Sequence, residues 1–267
     1  MNLTLDNPRK GLRGNLDSEA GRVRNLYCEI GRIYAINKEI RRAVESYCPQ
    51  PPSAHPPSDL VRGVLIRGLY DSGEIWGEHA EGVRLISRKI AERVGITGEA
   101  LADIETGAAI HDLGKVGVRN DVLNGRPDEE QKRLIRLYHP FVGYTYLVRF
   151  IDPEGRPPEE RLGVNNDMVR GAVLYHHELL DGTGYPFGLR GEEIPVSGAV
   201  VSLANLVHNR FFKRKPWTKK CSVDELKRDL TGNELSRLYA PDVADACVSL
   251  LIDDRELLEF LEELRRG

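Results

Sequence analysis

The sequence predicts an all-α protein, and three observations carry that reading. From residue 59 to the end, segment after segment repeats apolar residues at helical spacing. No stretch alternates with a period of two for long enough to make a strand, and no internal repeat is visible. The N-terminal region carries a heptad pattern. With 40% hydrophobic and 30% charged residues in 267, the chain has enough apolar material for a sizeable core and a well-solvated surface.

The heptad pattern runs from about Ser18 to Tyr47. Val23, Ile30, Asn37 and Val44 fall at the a positions, and Leu26, Ile33, Ile40 and Tyr47 at the d positions. β-Branched residues at a, with one Asn among them, suit a parallel two-stranded coiled coil, so this helix is expected to form a homodimer. Tyr27, Tyr34, Ile36 and Ala43 widen the stripe, which also fits a helix packed on its own domain. Residues 48–59, CPQPPSAHPPSD, hold five prolines and cannot continue a helix; they read as a semi-rigid linker, with His55 solvated. The chain therefore divides into an N-terminal helical extension and linker at 1–58 and a helical domain at 59–267. Helices are expected at 59–70, 76–94, 99–112, 128–150, 164–179, 196–210, 222–230, 241–252 and 255–266. Thr97 and Ser222 are expected N-caps, the latter in a capping box with Glu225.

Composition excludes several roles. Lys+Arg 38 against Asp+Glu 41 gives a net charge of −3, with no basic excess to coat duplex nucleic acid. The first residues form no apolar h-region, and no run reaches the roughly 18 apolar residues that cross a bilayer. A cytoplasmic protein without a membrane partner is expected. Cys28, Cys48, Cys221 and Cys247 are scattered without a CxxC spacing and read as reduced, structural thiols.

The placement of the seven histidines is the strongest chemical signal in the chain. His111-Asp112 ends a helix and leads into Leu113-Gly114-Lys115; its carboxylate can bridge two cations. A His-Asp pair alone is weak evidence, and His139-Pro140 alone reads equally well as a core or capping histidine. His176-His177-Glu178 runs into the Gly-rich turn Asp181-Gly182-Thr183-Gly184-Tyr185-Pro186, and tandem histidines in that setting are rare without a metal.

Taken together, HDLGKVGV at 111–118, YHPFVG at 138–143, HHELLDGTGYPFGLRGEEIP at 176–195 and YAPDV at 239–243 resemble the HD-GYP family of HD-superfamily metal-dependent phosphohydrolases. The resemblance covers residues 59 to the C-terminus. It implies a helical domain holding two divalent ions, iron or manganese, that hydrolyses a cyclic dinucleotide, chiefly cyclic di-GMP to pGpG or GMP. Carried onto this chain, one ion would take His79, His111, Asp112 and Asn205. The other would share Asp112 and take His139, His176 and His177. The resemblance makes Asp112 and Lys115 the catalytic residues, with Lys115 and Lys215 at the phosphates and Tyr185 in the substrate pocket. Two cations about 3.5–4 Å apart bind and acidify a bridging water, and the resulting hydroxide attacks phosphorus opposite the leaving 3′ oxygen.

Two departures matter. The family helix reads V-A-D-x-x-D, whereas this chain reads Leu203-Ala204-Asn205-Leu206-Val207-His208. An amide replaces a ligand carboxylate, and His208, three residues on and on the same helix face, offers a replacement nitrogen or simply packs. The Glu that accompanies a third ion is Ile75 here, so two ions are expected. Two function classes follow: a phosphodiesterase, or a degenerate domain that binds a cyclic dinucleotide or a signalling partner without turnover. A general mononucleotidase would not need the GYP segment.

Overall fold

The computed structural model describes residues 74–118, 122, 125, 127–148, 166–211, 221–232 and 235–266. The heptad segment, the Pro-rich stretch, the expected helix at 59–70 and Lys215 lie outside the described residues, and so does the expected boundary at 58/59.

Among the described residues there are eight α-helices: α1 (Glu74–Arg93), α2 (Gly98–Ala109), α3 (Glu129–Tyr146), α4 (Asp167–Tyr175), α5 (Val196–Phe211), α6 (Val223–Thr231), α7 (Pro241–Asp253) and α8 (Arg255–Arg266). Short 3-10 turns occupy Leu113–Gly117, Gly191–Glu193 and Leu235–Arg237, and no strand forms among these residues. The all-α expectation is met.

Side-chain capping sets several of the helix starts. Asp128 and Gln131 form a reciprocal capping box ahead of α3, as Ser222 and Glu225 do ahead of α6. The Asn166 side chain accepts from the Val169 amide and starts α4 at Asp167, later than the expected residue 164. Thr97 stands at the N-cap of α2 in extended conformation, but its side chain makes no capping bond. The helix expected to run through Asp112 ends at Ala109, because Ile110 leaves helical dihedrals at φ −115°, ψ 12°. From there the chain tightens into the 3-10 turn that carries Lys115. Similarly α4 stops at Tyr175, leaving His176 and His177 in a turn rather than inside the expected 164–179 helix.

α1 packs on α2, α5 and α7; α4 lies against α2, α3 and α5; α8 closes over α5. Along α1 the residues His79, Val83, Ile86 and Ile90 follow one another at spacings of 4, 3 and 4, and all are buried. Val83, Ile86 and Ile90 meet Ile104 and Ala108 of α2, and Val200, Leu203, Val207 and Phe211 of α5, in one continuous core. Each fully buried Ile or Leu contributes about 1.5–3 kcal/mol of transfer free energy. The core stripe of α1 thus ends in a histidine, which puts an imidazole inside the protein at the edge of the apolar interior. Lys89 on α1 bridges Asp254 at 3.0 Å and Glu256 at 2.8 Å, pinning the α7–α8 corner.

Candidate metal centre

Five elements deliver the histidines to one place. His79 comes from α1, His111 and Asp112 from the turn after α2, His139 from α3, His176 and His177 from the end of α4, and His208 from α5. His79, His111, Asp112, His139, His176 and His208 are all buried, and His177 is partly exposed.

Backbone carbonyls fix three of the rings. His111 Nδ1 donates to the Ala108 carbonyl at 2.7 Å, His139 Nδ1 to that of Ile135 at 2.9 Å, and His176 Nδ1 to that of Val173 at 2.9 Å. A neutral imidazole that donates through Nδ1 has a bare Nε2 lone pair. In each case that atom turns to Asp112: His139 Nε2 is 3.2 Å from Oδ1, His176 Nε2 is 4.0 Å from Oδ1, and His111 Nε2 is 3.6 Å from Oδ2. His139 Nε2 and His176 Nε2 stand only 3.2 Å apart. Two lone pairs and a carboxylate oxygen at such range repel one another unless a cation lies among them. His111 Nε2 is buried and accepts no hydrogen bond from the protein. A donation from the other ring nitrogen to a carbonyl is also how metal-bound histidines are oriented. The donor set fits a divalent transition metal.

Electrostatics agree with the geometry. Burial, reinforced by the Lys115 ammonium and neighbouring imidazoles, lowers the His111 pKa to about 4 and pushes those of His139, His176 and His177 down. All four imidazoles are therefore neutral at pH 7, the form in which a histidine can bind a metal. Burial opposes ionisation of Asp112, yet Lys115, His111 and His139 outweigh it and hold the carboxyl well below its usual range. Among the described residues the candidate ligand atoms fall into two groups of three, His79–His111–Asp112 and His139–His176–His177, each within 4.8 Å. Asp112 reaches across to the second group through Oδ1.

The other sequence-derived residues take these places. Lys115 Nζ lies 2.6 Å from Asp112 Oδ2. Tyr185 stacks on His177, with ring centroids 4.6 Å apart and an interplanar angle of 26°, and burial pushes its phenol up. Asn205 is buried on α5, where its Oδ1 accepts from Asn209 Nδ2 at 2.7 Å. His208 Nδ1 lies 2.9 Å from His79 Nδ1, whereas His79 Nε2 faces Asp112 Oδ2 at 3.8 Å. Cys221 and Cys247 are buried free thiols.

Two supporting residues were not singled out from the sequence. Glu178 is 2% exposed, and its two carboxylate oxygens accept from the Phe187 and Leu189 amides at 2.7 and 2.9 Å, tying down the Gly-Tyr-Pro loop. Its place directly after the tandem histidines was the available signal. Gly114 packs so tightly under α3 that a Cβ there would lie 1.9 Å from the His139 carbonyl oxygen.

The HD domain family profile matches residues 76–210, half of the chain. A cyclic di-GMP phosphodiesterase of Thermotoga maritima is 30% identical over 174 residues, covering 64% of this chain and 44% of that protein. The cyclic di-GMP phosphodiesterase response regulator RpfG of Xanthomonas campestris pv. campestris is 31% identical over 175 residues, covering 64% and 41%. A 3'3'-cGAMP-specific phosphodiesterase 2 of Vibrio cholerae is 27% identical over 155 residues, covering 56% and 27%. The chain spans less than half the length of these relatives. Among the described residues no helix is long and apolar enough to cross a membrane. With the HD profile matched across the helices that carry its histidines, and with relatives of that kind, the chain belongs to the HD domain family and, within it, to the HD-GYP branch.

Proposed function

We propose that this protein is a metal-dependent phosphodiesterase that opens a cyclic dinucleotide, cyclic di-GMP first among them, to pGpG or GMP. The observation that carries the reading is the convergence of bare imidazole nitrogens on both oxygens of Asp112, beside the Lys115 ammonium. His79, His111 and Asp112 would hold one ion, with Asn205 nearby on α5. Asp112, His139, His176 and His177 would hold the second, iron or manganese in both cases. When bound, the two ions supply the Lewis acidity that makes water nucleophilic at neutral pH and draws charge from the phosphoryl oxygens.

The chain's own residues do the rest. Asp112, held firmly ionised, acts as a ligand rather than a proton carrier. Lys115 places a point charge at the edge of the cluster, where it offsets charge on the phosphoryl group in the transition state. Tyr185, clamped on His177 and held by a loop that Glu178 fixes, forms a rigid wall for the substrate. Lys215 is proposed as a second phosphate contact. A cytoplasmic setting and a homodimer through the heptad helix at 18–47 belong to the same reading, supported by the heptad pattern alone. Sedimentation of a chain beginning at Pro57 tests the dimer; an unchanged dimer would sink that part.

Activity is tested by anaerobic incubation of the purified protein with iron(II) or manganese(II) and cyclic di-GMP, with 3'3'-cGAMP in parallel. Linear product that disappears in His111→Ala supports the assignment. Intact nucleotide under both metals overturns it and favours a binding role, for which Asn205 and His208, standing in place of the two aspartates of the family pattern, are the motivating residues.

A further inference from the structure

The helix α3 carries Lys132, Arg133 and Arg136 ahead of His139. Lys132 pairs with Glu129, and Arg133 with Glu130 at 2.9 Å, each three residues back along the helix. Arg136 has no acid at the same spacing: the positions three and four residues away hold Arg133, Lys132, His139 and Pro140. Its side chain is exposed, and among the described residues it makes no hydrogen bond or ion pair. Its place is at the site. Arg136 lies one turn before His139, on the face of α3 that enters the histidine cluster. From His139 the rings run on in a row, with the His177 centroid 5.1 Å from that of His139 and the Tyr185 centroid 4.6 Å from that of His177. Burial pushes the Tyr185 phenol up, the Arg136 guanidinium pulls it back down and Asp112 raises it, so Tyr185 lies within electrostatic reach of both charges. Lys115 thus stands at Asp112, and Arg136 stands by the Tyr185 end of the row.

A cyclic dinucleotide carries two phosphodiester groups, and the histidine cluster with Lys115 acts on one of them. We propose that Arg136 is a substrate-binding residue that takes the second, non-reacting phosphodiester of the ring. The inference rests on the phosphodiesterase reading given above. A guanidinium presents a planar fork of N–H donors that matches two phosphoryl oxygens at once, which the point charge of an ammonium does not. An arginine without a counter-ion keeps that fork available, whereas Lys132 and Arg133 spend theirs on α3 itself. Arg136 therefore distinguishes substrates by their number of phosphates: a diester with a single phosphate gains nothing from it.

The test compares the manganese(II)-loaded full chain with Arg136→Met and Arg136→Lys on two substrates: cyclic di-GMP, and bis(p-nitrophenyl) phosphate, which has one phosphodiester. Arg136→Met is expected to raise KM for cyclic di-GMP about 10–100-fold, the range for a lost charged hydrogen-bond partner, with kcat within about 3-fold of the parent. Arg136→Lys keeps the charge without the fork and is expected to fall between the two. Both variants are expected to hydrolyse bis(p-nitrophenyl) phosphate as the parent does, which also shows that fold and metal content are intact. An unchanged KM for cyclic di-GMP in Arg136→Met overturns the proposal. So does an equal loss on both substrates, which would place Arg136 at the reacting phosphate. A loss seen with cyclic di-GMP but absent with cyclic di-AMP, as substrate or competitor, would assign the guanidinium to a guanine edge and overturns it too. A parent that turns over neither substrate overturns the phosphodiesterase reading instead. Equilibrium dialysis of cyclic di-GMP against the parent and Arg136→Met then decides the contact alone: a 10–100-fold loss of affinity supports it, and equal affinity overturns it.

Discussion

Lys115 Nζ lies 2.6 Å from Asp112 Oδ2, three residues away across the 3-10 turn, and both side chains are shielded from bulk water. The ammonium therefore does two things: it keeps the carboxylate ionised and stands at the rim of the histidine cluster. These are separable. Lys115→Met is expected to leave manganese content near that of the parent, since neutral imidazoles and Asp112 remain. It is expected to lower kcat on cyclic di-GMP by roughly 10²–10³-fold, the effect of removing one preorganised donor to developing charge. Metal analysis beside steady-state kinetics checks both halves; equal loss of metal and activity would assign Lys115 to binding the ions.

The buried imidazoles make the metal-free protein sensitive to acid. His111 has a folded-state pKa lowered from 6.5 to about 4, chiefly by burial, and His139, His176 and His177 are shifted in the same direction. Between those pH values the unfolded chain binds protons that the folded one refuses, so stability falls as pH drops. The contribution is intact above about pH 6.5 and is lost progressively towards pH 4, on the order of 3 kcal/mol for His111 alone. Urea unfolding of chelator-treated protein should show a lower midpoint at pH 5 than at pH 7. An unchanged midpoint would contradict the burial of neutral rings.

Gly114 allows the motif turn to sit directly on α3. A methyl group there would meet the His139 carbonyl oxygen at 1.9 Å and the Gly143 amide nitrogen at 2.8 Å, both backbone atoms that cannot rotate away. Gly114→Ala is expected to destabilise the fold by about 3 kcal/mol and to spread the two groups of ligands apart. Thermal unfolding and manganese stoichiometry together check this, and a variant as stable as the parent with full metal content would refute the contact.

Glu178 links the tandem histidines to the Gly-Tyr-Pro loop. Glu178→Gln turns one of the two accepting oxygens into an N–H donor that faces a backbone N–H. Amide exchange at Phe187 and Leu189 should accelerate by about 10-fold or more, the loss of a charge-assisted bond of roughly 1.5–3 kcal/mol. KM for the dinucleotide should rise more than kcat falls. Unchanged exchange at both amides would remove Glu178 from this role.

Much of this architecture was legible from residue patterns. The helical periodicity gives the order of α1 to α8, and Ser222 with Glu225 marks the start of α6 as seen. Helix ends were less legible. Apolar spacing continues past Ala109 and back before Asp167, but Ile110 breaks helical dihedrals and Asn166 caps the next helix, both local events that periodicity does not record. Motif spacing pointed to the histidines, while their convergence depends on which helix faces meet. His208 shows the difference most clearly. Its i+3 relation to Asn205 is visible in the sequence, whereas its approach to His79, 129 residues away, and the pairing of Asn205 with Asn209 come only from the fold. Gly82, on which the His208 ring is seated, carried no sequence signal: a Cβ there would lie 2.2 Å from both Cδ2 and Nε2 of that ring, and a glycine inside a helix explains itself only when its neighbour is seen.

The seat that Gly82 provides also bears on how this chain can vary over descent. Glycine within a helix costs about 1 kcal/mol relative to alanine, so position 82 carries a standing penalty that only the ring across from it justifies. A lineage that replaced His208 with a shorter acid or amide would be released to take alanine at 82 and gain stability. One that acquired alanine first would evict the ring. The two positions therefore form a single heritable unit, and the order in which they change is constrained: 208 must shrink before 82 can grow.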